Sequence, residues 1–218
     1  MTEHNVVAGY VLPQLRVEHS SSGLVPRRDS ALASRLVSRA SRNSSGRTVA
    51  NLQAALRSQC ATAGEQPERF LRSVNQLLYE NTAGGDYATL FFAEYDDRTR
   101  KLRYSNCGHP PALLLRGDDT VERLAATCTV VGLFEKWDCT MEELELAPGD
   151  AVLLYTDGVT EAMNGEGEEF GEERLLEAAR QNCRLSVPEL MVAVADQARR
   201  FSPQEQTDDL TLIVAKCA

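Results

Sequence analysis

An apolar run over residues 151–156 ends abruptly at the pair Asp157-Gly158, and a polar, glycine-rich segment follows. The run has the composition of a β-strand, and Asp-Gly commonly turns the chain at the end of a strand. A strand that ends in this way holds the Asp157 carboxylate at the mouth of a sheet, where metal-dependent chemistry needs an acidic ligand. The pair by itself indicates only a turn, so other parts of the chain must decide whether Asp157 has a chemical role.

The composition is that of an ordinary globular protein. The chain has 218 residues, of which 43% are hydrophobic and 25% are charged. No apolar run approaches the roughly 20 residues that span a membrane, and the N-terminus lacks the pattern of a signal peptide. The six cysteines include no Cys-x-x-Cys pair, which argues against a zinc site or a disulfide framework. We therefore expect a cytoplasmic protein with no membrane partner.

Charge is distributed unevenly along the chain. The net charge is −9, yet the first 50 residues hold seven arginines against three acids, so the remainder is strongly acidic. An acidic body argues against nucleic acid as a ligand and suits a protein that collects divalent cations. The Ser/Arg-rich stretch 30–47 could form a nucleic-acid arm, but no aromatic residues interleave with it. We therefore predict no nucleic-acid partner.

Apolar spacing predicts an α+β fold, because helices and strands occur in separate groups along the chain. Predicted helices lie at 50–57, 67–84, 172–182 and 186–201. Predicted strands lie at 88–95, 101–105, 112–116, 127–134, 140–146, 151–156 and 210–216. A short strand is also possible within 6–17, whereas the Ser/Arg-rich stretch has the composition of a disordered or loosely helical segment. We therefore divide the chain into an atypical segment 1–48 and a folded domain 49–218.

Two groups of carboxylates flank predicted strands. Asp157 follows one strand, and Asp208 and Asp209 precede another. Because strands distant in sequence can be neighbours in a sheet, these acids could share one metal. Oxygen ligands select hard cations such as Mg²⁺ or Mn²⁺, and a water bound to such an ion can attack phosphorus. The alternative is that Asp208 and Asp209 only cap a strand at the surface.

The segment Asn106-Cys107-Gly108-His109 forms a predicted loop, and His109 is the only histidine in the folded domain. A lone loop histidine is more often structural than catalytic, and Asn106, Gly108 and His109 are therefore candidates for a structural or active-site loop. A cysteine-dependent phosphatase would need an arginine six positions after its cysteine. Leu113 stands at that position after Cys107, so this chemistry is excluded.

Six sequence blocks in order support a family resemblance. They are 87–92, 104–115, 146–150, 155–162, 168–175 and 207–212. On these blocks, residues from about Asn51 to Lys216 resemble the bacterial PPM-type serine/threonine phosphatases of the stage-II-sporulation class. The resemblance implies two stacked antiparallel β-sheets flanked by helical hairpins, an αββα sandwich.

The resemblance also implies a function. It implies hydrolysis of phosphoserine or phosphothreonine by water activated at two Mn²⁺ or Mg²⁺ ions, with no catalytic side chain assigned. The substrate would be a phosphorylated signalling protein of the anti-sigma-factor antagonist type. By motif, Asp157 and Asp208 carry over as metal ligands. Gly158 and Asp209 carry over as further ligands or as residues that hold the ligands in place.

The chain departs from the family at its N-terminus. The family begins with a Gly-Gly-Asp segment on an early strand and an Asp-x-Ser-Gly-x-Gly turn, which supply further metal ligands. Here Asp29 is the only aspartate in residues 1–48. Gly84-Gly85-Asp86 has the letters of the first motif but follows the helical hairpin, and it is not counted as a ligand. A degenerate phosphatase, a truncated gene product and an N-terminus read out of frame each account for the departure.

The absence of these aspartates has two expected consequences. A site with two carboxylates rather than four should bind metal more weakly, and catalysis that needs two ions should be slower as a result. The alternative function is therefore a catalytically impaired, phosphatase-like binding or regulatory module. The departure also leaves open whether two N-terminal strands are missing from one of the sheets, which would expose apolar surface.

Overall fold

The computed structural model describes residues 6–12, 33–40, 51–52, 54–56, 66–82, 86–96, 98–203 and 211–217. The described strands are β1 Val6–Leu12, β2 Ala33–Ala40, β3 Thr89–Asp96, β4 Lys101–Cys107, β5 Ala112–Leu115, β6 Val121–Leu124, β7 Glu142–Glu145, β8 Ala151–Tyr155 and β9 Thr211–Cys217. The described helices are α1 Pro67–Asn81, α2 Asp157–Thr160, α3 Gly171–Asn182 and α4 Val187–Phe201. The residues at 51–52 and 54–56 are also helical.

The chain forms two compact units, each built from segments distant in sequence. Unit 1 comprises Met1–Ser21, Pro110–Leu124 and Leu146–Ala218, and unit 2 comprises Ser22–His109 and Ala125–Glu145. Unit 1 contains a five-stranded sheet of order β1-β9-β8-β5-β6, and unit 2 a four-stranded sheet of order β2-β3-β4-β7. Every pairing is antiparallel except β1 with β9, which is parallel. The predicted α+β class is confirmed.

In unit 1, helices α3 and α4 cover one face of the sheet. Alternate residues of β8 and β9, such as Leu153 and Val214, join a core with the apolar stripes of the two helices. Helix α4 begins with a capping box, in which the backbone N–H and the hydroxyl of Ser186 both donate to Glu189 Oε2, at 3.0 and 2.6 Å. The sequence pattern predicted this helix start.

In unit 2, α1 and the helical residues near 52–56 pack on β3. Leu52 and Leu78 are fully buried in one cluster with Leu90, and the rings of Phe70 and Phe92 lie 5.4 Å apart. Burial of a large apolar side chain stabilises a fold by about 1.5–3 kcal/mol. This packing of helices against β3 therefore stabilises unit 2.

The predicted strand over 127–134 is wrong. This segment forms only single bridges, at Cys128 and Val131. Asn75 of α1 determines its path, because Asn75 Oδ1 accepts from Gly132 N at 2.8 Å and Asn75 Nδ2 donates to Phe134 O at 3.0 Å. The β-branched composition of the segment suggested a strand, but hydrogen bonds to a helix side chain hold the backbone instead. Strand β6, Val121–Leu124, has no counterpart among the predicted strands.

Both sheets contain a strand from the N-terminal segment. Strand β1 pairs with β9, and β2 pairs with β3 over eight positions. The expectation of a disordered or loosely helical stretch is therefore wrong for 33–40, because pairing with β3 satisfies the backbone of β2 whatever its side chains. The remaining positions of 1–48 lie outside the described residues. No helix in the described ranges is long and apolar enough to cross a membrane.

Candidate functional site

Asp157 follows the last residue pair that joins β8 to β9. Thr156 N donates to Thr211 O at 3.1 Å, and Thr211 N donates to Thr156 Oγ1, also at 3.1 Å. This two-bond clamp continues the antiparallel register of Tyr155 with Leu212. The chain therefore leaves the sheet at Asp157 directly beside the place where β9 enters it.

A single helical turn then fixes the backbone of Asp157. Its carbonyl oxygen accepts from Glu161 N at 2.8 Å and from Thr160 Oγ1 at 3.3 Å. Gly158 and Val159 are buried, whereas the side chain of Asp157 is only half-buried. The carboxylate is thus carried by a rigid backbone at the end of a strand, as the sequence predicted.

The neighbouring Tyr155 does not offer a second ionised group. Burial, followed by the negative charge of Glu172, raises the pKa of the Tyr155 phenol well above its usual value. The charge of Asp157 acts in the same direction. Tyr155 therefore stays neutral at physiological pH and contributes packing within the core of unit 1.

Of the three aspartates predicted as metal ligands, only Asp157 is among the described residues. Asp208 and Asp209 lie outside the described residues. Within the described ranges, no group of three or more His, Cys, Asp or Glu side chains could hold a metal ion. Asp157 is a half-buried carboxylate at the end of a buried strand, and its oxygen atoms suit a hard divalent cation. Among the described residues, Asp157 therefore has the position and the chemistry that the predicted metal site requires.

Asn106 and Cys107 lie in β4 and pair with β3, so the predicted loop begins only at Gly108. Asn106 Oδ1 accepts from His109 N at 2.9 Å, and Asn106 O accepts from Thr127 N at 2.9 Å. Gly108 has φ +73°, and an added Cβ would lie 2.8 Å from Val130 Cγ1. These contacts shape the turn that follows β4, and His109 is 3% exposed within it.

Sequence reasoning missed the role of Asp150, which it assigned only to a turn. This carboxylate is 2% exposed and accepts three hydrogen bonds, from Arg116 Nη1 at 2.8 Å, Gly117 N at 3.0 Å and Ala147 N at 2.9 Å. It links the turn before β8 to the end of β5. The separation of 34 residues between Asp150 and Arg116 leaves no local sequence signal.

Comparison with protein families identifies the chain. Residues 44–218 match the family model described as Stage II sporulation protein E (SpoIIE), which is most of the chain. The chain belongs to this family. The resemblance inferred from the six sequence blocks is thereby confirmed for the SpoIIE family.

Two curated proteins illustrate the kinship of this SpoIIE-family chain. It is 33% identical over 149 residues to Protein IcfG of Synechocystis sp., a match that covers 66% of this chain and 24% of that protein. It is 28% identical over 156 residues to phosphoserine phosphatase RsbU of Bacillus subtilis, covering 70% of this chain and 46% of that protein. The chain thus spans less than half the length of either relative.

Solved structures confirm the phosphatase-type fold of the SpoIIE-family chain. The SiaA-PP2C domain of Pseudomonas aeruginosa superposes with a TM-score of 0.77 at 21% identity, covering 91% of this chain and 81% of that one. The catalytic domain of the serine/threonine protein phosphatase PstP, solved with two manganese ions, gives a TM-score of 0.61 at 15% identity, with coverage of 95% and 94%. At these identities, the similarity establishes the fold.

Proposed function

We propose that this chain hydrolyses phosphoserine or phosphothreonine on a signalling protein, with Mn²⁺ or Mg²⁺ held by Asp157 and Asp208. The observation that carries the proposal is the clamp between Thr156 and Thr211, which joins the end of β8 to the start of β9. Asp208 precedes Thr211 by only three residues in the sequence, so both proposed ligands are next to the clamp along the chain.

The residues of the chain have separate tasks in this proposal. Asp157 provides carboxylate oxygens from a backbone fixed by Glu161 N and Thr160 Oγ1, so it can hold an ion without refolding the turn. Gly158 is buried beside it, and Asp209 is a further candidate ligand. Bound Mn²⁺ or Mg²⁺ would supply a water of lowered pKa and would neutralise the oxygen atoms of the phosphoryl group. A second ion, as in the PstP structure, belongs to the same proposal.

The substrate and the domain boundary are also proposed. RsbU, a relative, is described as a phosphoserine phosphatase, which supports a phosphorylated protein as substrate. An anti-sigma-factor antagonist is the type that we propose. The phosphatase-like sequence is proposed to begin at residue 49, although β1 and β2 precede it and pair with strands of its two sheets. The reaction is proposed to occur in the cytoplasm, since the cysteine spacing is typical of a protein from a reducing compartment.

The test combines activity with metal binding. The purified chain is assayed with a phosphoserine peptide and Mn²⁺, and Mn²⁺ binding is measured separately by electron paramagnetic resonance. Asp157→Asn is expected to abolish both turnover and binding. Asp196→Asn is the matched control, because Asp196 lies on helix α4 in a partly exposed ion pair with Arg199. Equal Mn²⁺ binding by the wild type and the Asp157 variant would overturn the proposed metal site.

A second candidate function rests on the composition of the N-terminal strands. Strand β1 reads VVAGYVL and β2 reads ASRLVSRA, so neither strand carries an acidic residue. We propose as the alternative a binding or regulatory module that recognises a phosphorylated partner without turning it over. This function predicts that the wild-type chain binds the phosphoserine peptide more tightly than its unphosphorylated form and releases no phosphate. Turnover by the wild type would exclude this alternative.

A further inference from the structure

Two cysteines of unit 2 lie side by side. Cys107 ends β4, and Cys128 pairs with it through an isolated parallel bridge. Their Sγ atoms are 3.3 Å apart, although 21 residues separate them in sequence. Neither residue has a role in the proposed phosphatase chemistry.

The two thiols differ in access to solvent. Cys107 is fully buried in the core of unit 2, whereas Cys128 is partly exposed. Polar groups surround the outer thiol, because Ser105 Oγ lies 3.3 Å from Cys128 Sγ and 3.1 Å from Thr127 Oγ1. A reagent from solvent can therefore reach Cys128 first, and Cys107 only through it.

The same contacts separate the acidities of the thiols. Hydrogen bonding with the Cys107 thiol, assisted by the Ser105 hydroxyl, lowers the pKa of Cys128 because both groups stabilise a thiolate there. The corresponding hydrogen bond with Cys128, followed by burial, raises the pKa of Cys107. Burial raises the pKa of nearby Cys139 to about 12. Since the thiolate is the nucleophile, Cys128 is the reactive member of the group.

We propose that Cys128 is a modification site for small-molecule disulfides such as glutathione disulfide, and that Cys107 resolves the adduct to form a Cys107–Cys128 disulfide. Cytosolic disulfides of this type usually act in redox sensing.

The exchange balances without any other oxidant. The Cys128 thiolate attacks one sulfur of the small disulfide, forms a mixed disulfide and releases one thiolate, which takes up a proton. Cys107 Sγ then attacks Cys128 Sγ, which breaks the mixed bond, and the departing thiolate takes up the Cys107 proton and leaves as the second thiol. The small disulfide is reduced to two thiols, and the two cysteines are oxidised to one disulfide.

The backbone already has the separation that this product needs. Bridge partners on neighbouring strands lie about 4.7–4.9 Å apart, and disulfides join Cα atoms about 4.4–6.8 Å apart. The sulfurs must approach from 3.3 Å to about 2.05 Å. Cys128 N already donates to Asn106 O at 3.2 Å, so the new bond would reinforce an existing contact. The product would tie the Asn106–His109 turn covalently to the 127–131 segment.

The test uses the full chain with glutathione disulfide at neutral pH, followed by non-reducing peptide mapping by mass spectrometry. We expect one cross-linked product, joining Cys107 to Cys128. Cys107→Ala should stop at the glutathione adduct on Cys128, and Cys128→Ala should leave Cys107 unmodified. Cys183→Ala is the matched control and should retain the cross-link. A wild-type chain that modifies Cys139 or Cys183 before Cys128, or a Cys107 variant without the adduct, would overturn the proposal.

A second measurement remains informative if a variant is poorly folded. The rate of alkylation by iodoacetamide is followed at each cysteine of the wild-type chain between pH 5.5 and 9, a range around the ordinary thiol pKa of about 8.5. Cys128 should react faster than Cys139 and Cys183, and it should keep its rate at lower pH than either. Cys128 alkylation that follows an ordinary thiol profile would contradict the proposed reactive site.

Discussion

Replacing Asp150 tests whether one buried carboxylate holds the start of β8 in place. Asp150→Ala removes an acceptor that serves Arg116 Nη1 and the backbone N–H groups of Gly117 and Ala147. The arginine side chain is 24% exposed and keeps Glu122 as a partner, so water and that carboxylate offset part of its loss. Gly117 and Ala147 are exposed residues, so water can reach both backbone donors, and each lost hydrogen bond to the charged carboxylate costs about 1.5 kcal/mol, the low end for bonds to a charged group.

These contributions give a loss of about 3 kcal/mol in the free energy of unfolding, the lower end of what breaking a buried ion pair costs. For a chain of this size, each kcal/mol shifts Tm by about 2–4 °C, so Tm should fall by about 6–12 °C. Thermal unfolding followed by circular dichroism measures the shift. Urea unfolding gives the free energy independently.

Asp150→Asn is the sharper variant because it keeps the shape of the side chain. Oδ2 accepts from both Arg116 Nη1 and Ala147 N, and Oδ1 accepts from Gly117 N. Whichever way the amide is turned, its NH₂ group faces a donor, so we expect Asn to lower Tm almost as far as Ala. Asp118→Ala, an exposed carboxylate on the next turn, should shift Tm far less. An Asn variant within about 1 °C of wild type would refute the reasoning.

Three further predictions test other contacts of the described residues. Gly132→Ala should lower the free energy of unfolding, measured in urea, by about 2–5 kcal/mol, since φ is +89° and the added methyl would lie 2.7 Å from a buried side chain. Gly149→Ala, with φ +94° and open space around the added methyl, should lower it by only about 1–2 kcal/mol. Equal losses would contradict the steric argument. Asn75→Ala should cost about 2–4 kcal/mol by the same assay, because two hydrogen bonds to the 132–134 segment are lost. Hydrogen bonds from Ser186 lower the pKa of Glu189, so the ionised carboxylate stabilises the fold above about pH 4.5, and this stabilisation is lost as pH falls through the folded-state pKa. The Tm difference between wild type and Glu189→Gln should therefore shrink in acid. A Tm difference that grows in acid would contradict the lowered pKa.

The parts of the fold that sequence predicted are those with local signals. The apolar run ending at Asp157 became β8, and the Ser186–Glu189 spacing became the capped start of α4. Each depends on residues within one turn or one strand, which periodicity and capping patterns describe. The position of Asp157 at the end of a strand could be predicted for the same reason.

The features that sequence missed depend on partners distant in the chain. Strand β2 has a Ser/Arg-rich sequence and is held by its pairing with β3, and no pattern within 33–40 indicates that partner. The 127–134 segment looked like a strand, but Asn75, more than 50 residues earlier, holds it in an irregular path. Likewise, no spacing rule brings Cys107 beside Cys128. Tertiary hydrogen bonds and packing, rather than propensity, decide these regions.

The position of β9 within the sheet of unit 1 affects how the protein can be made. Strand β9 follows every other described element in sequence, yet it lies between β1 and β8. During synthesis, β1 and β8 therefore leave the ribosome without the strand that joins them, and each presents unpaired N–H and C=O groups. Until residues 211–217 emerge, unit 1 remains an incomplete sheet that is open to pairing with other chains. We expect its folding to be limited by this late, long-range strand pairing, so the nascent chain is a natural client for chaperones.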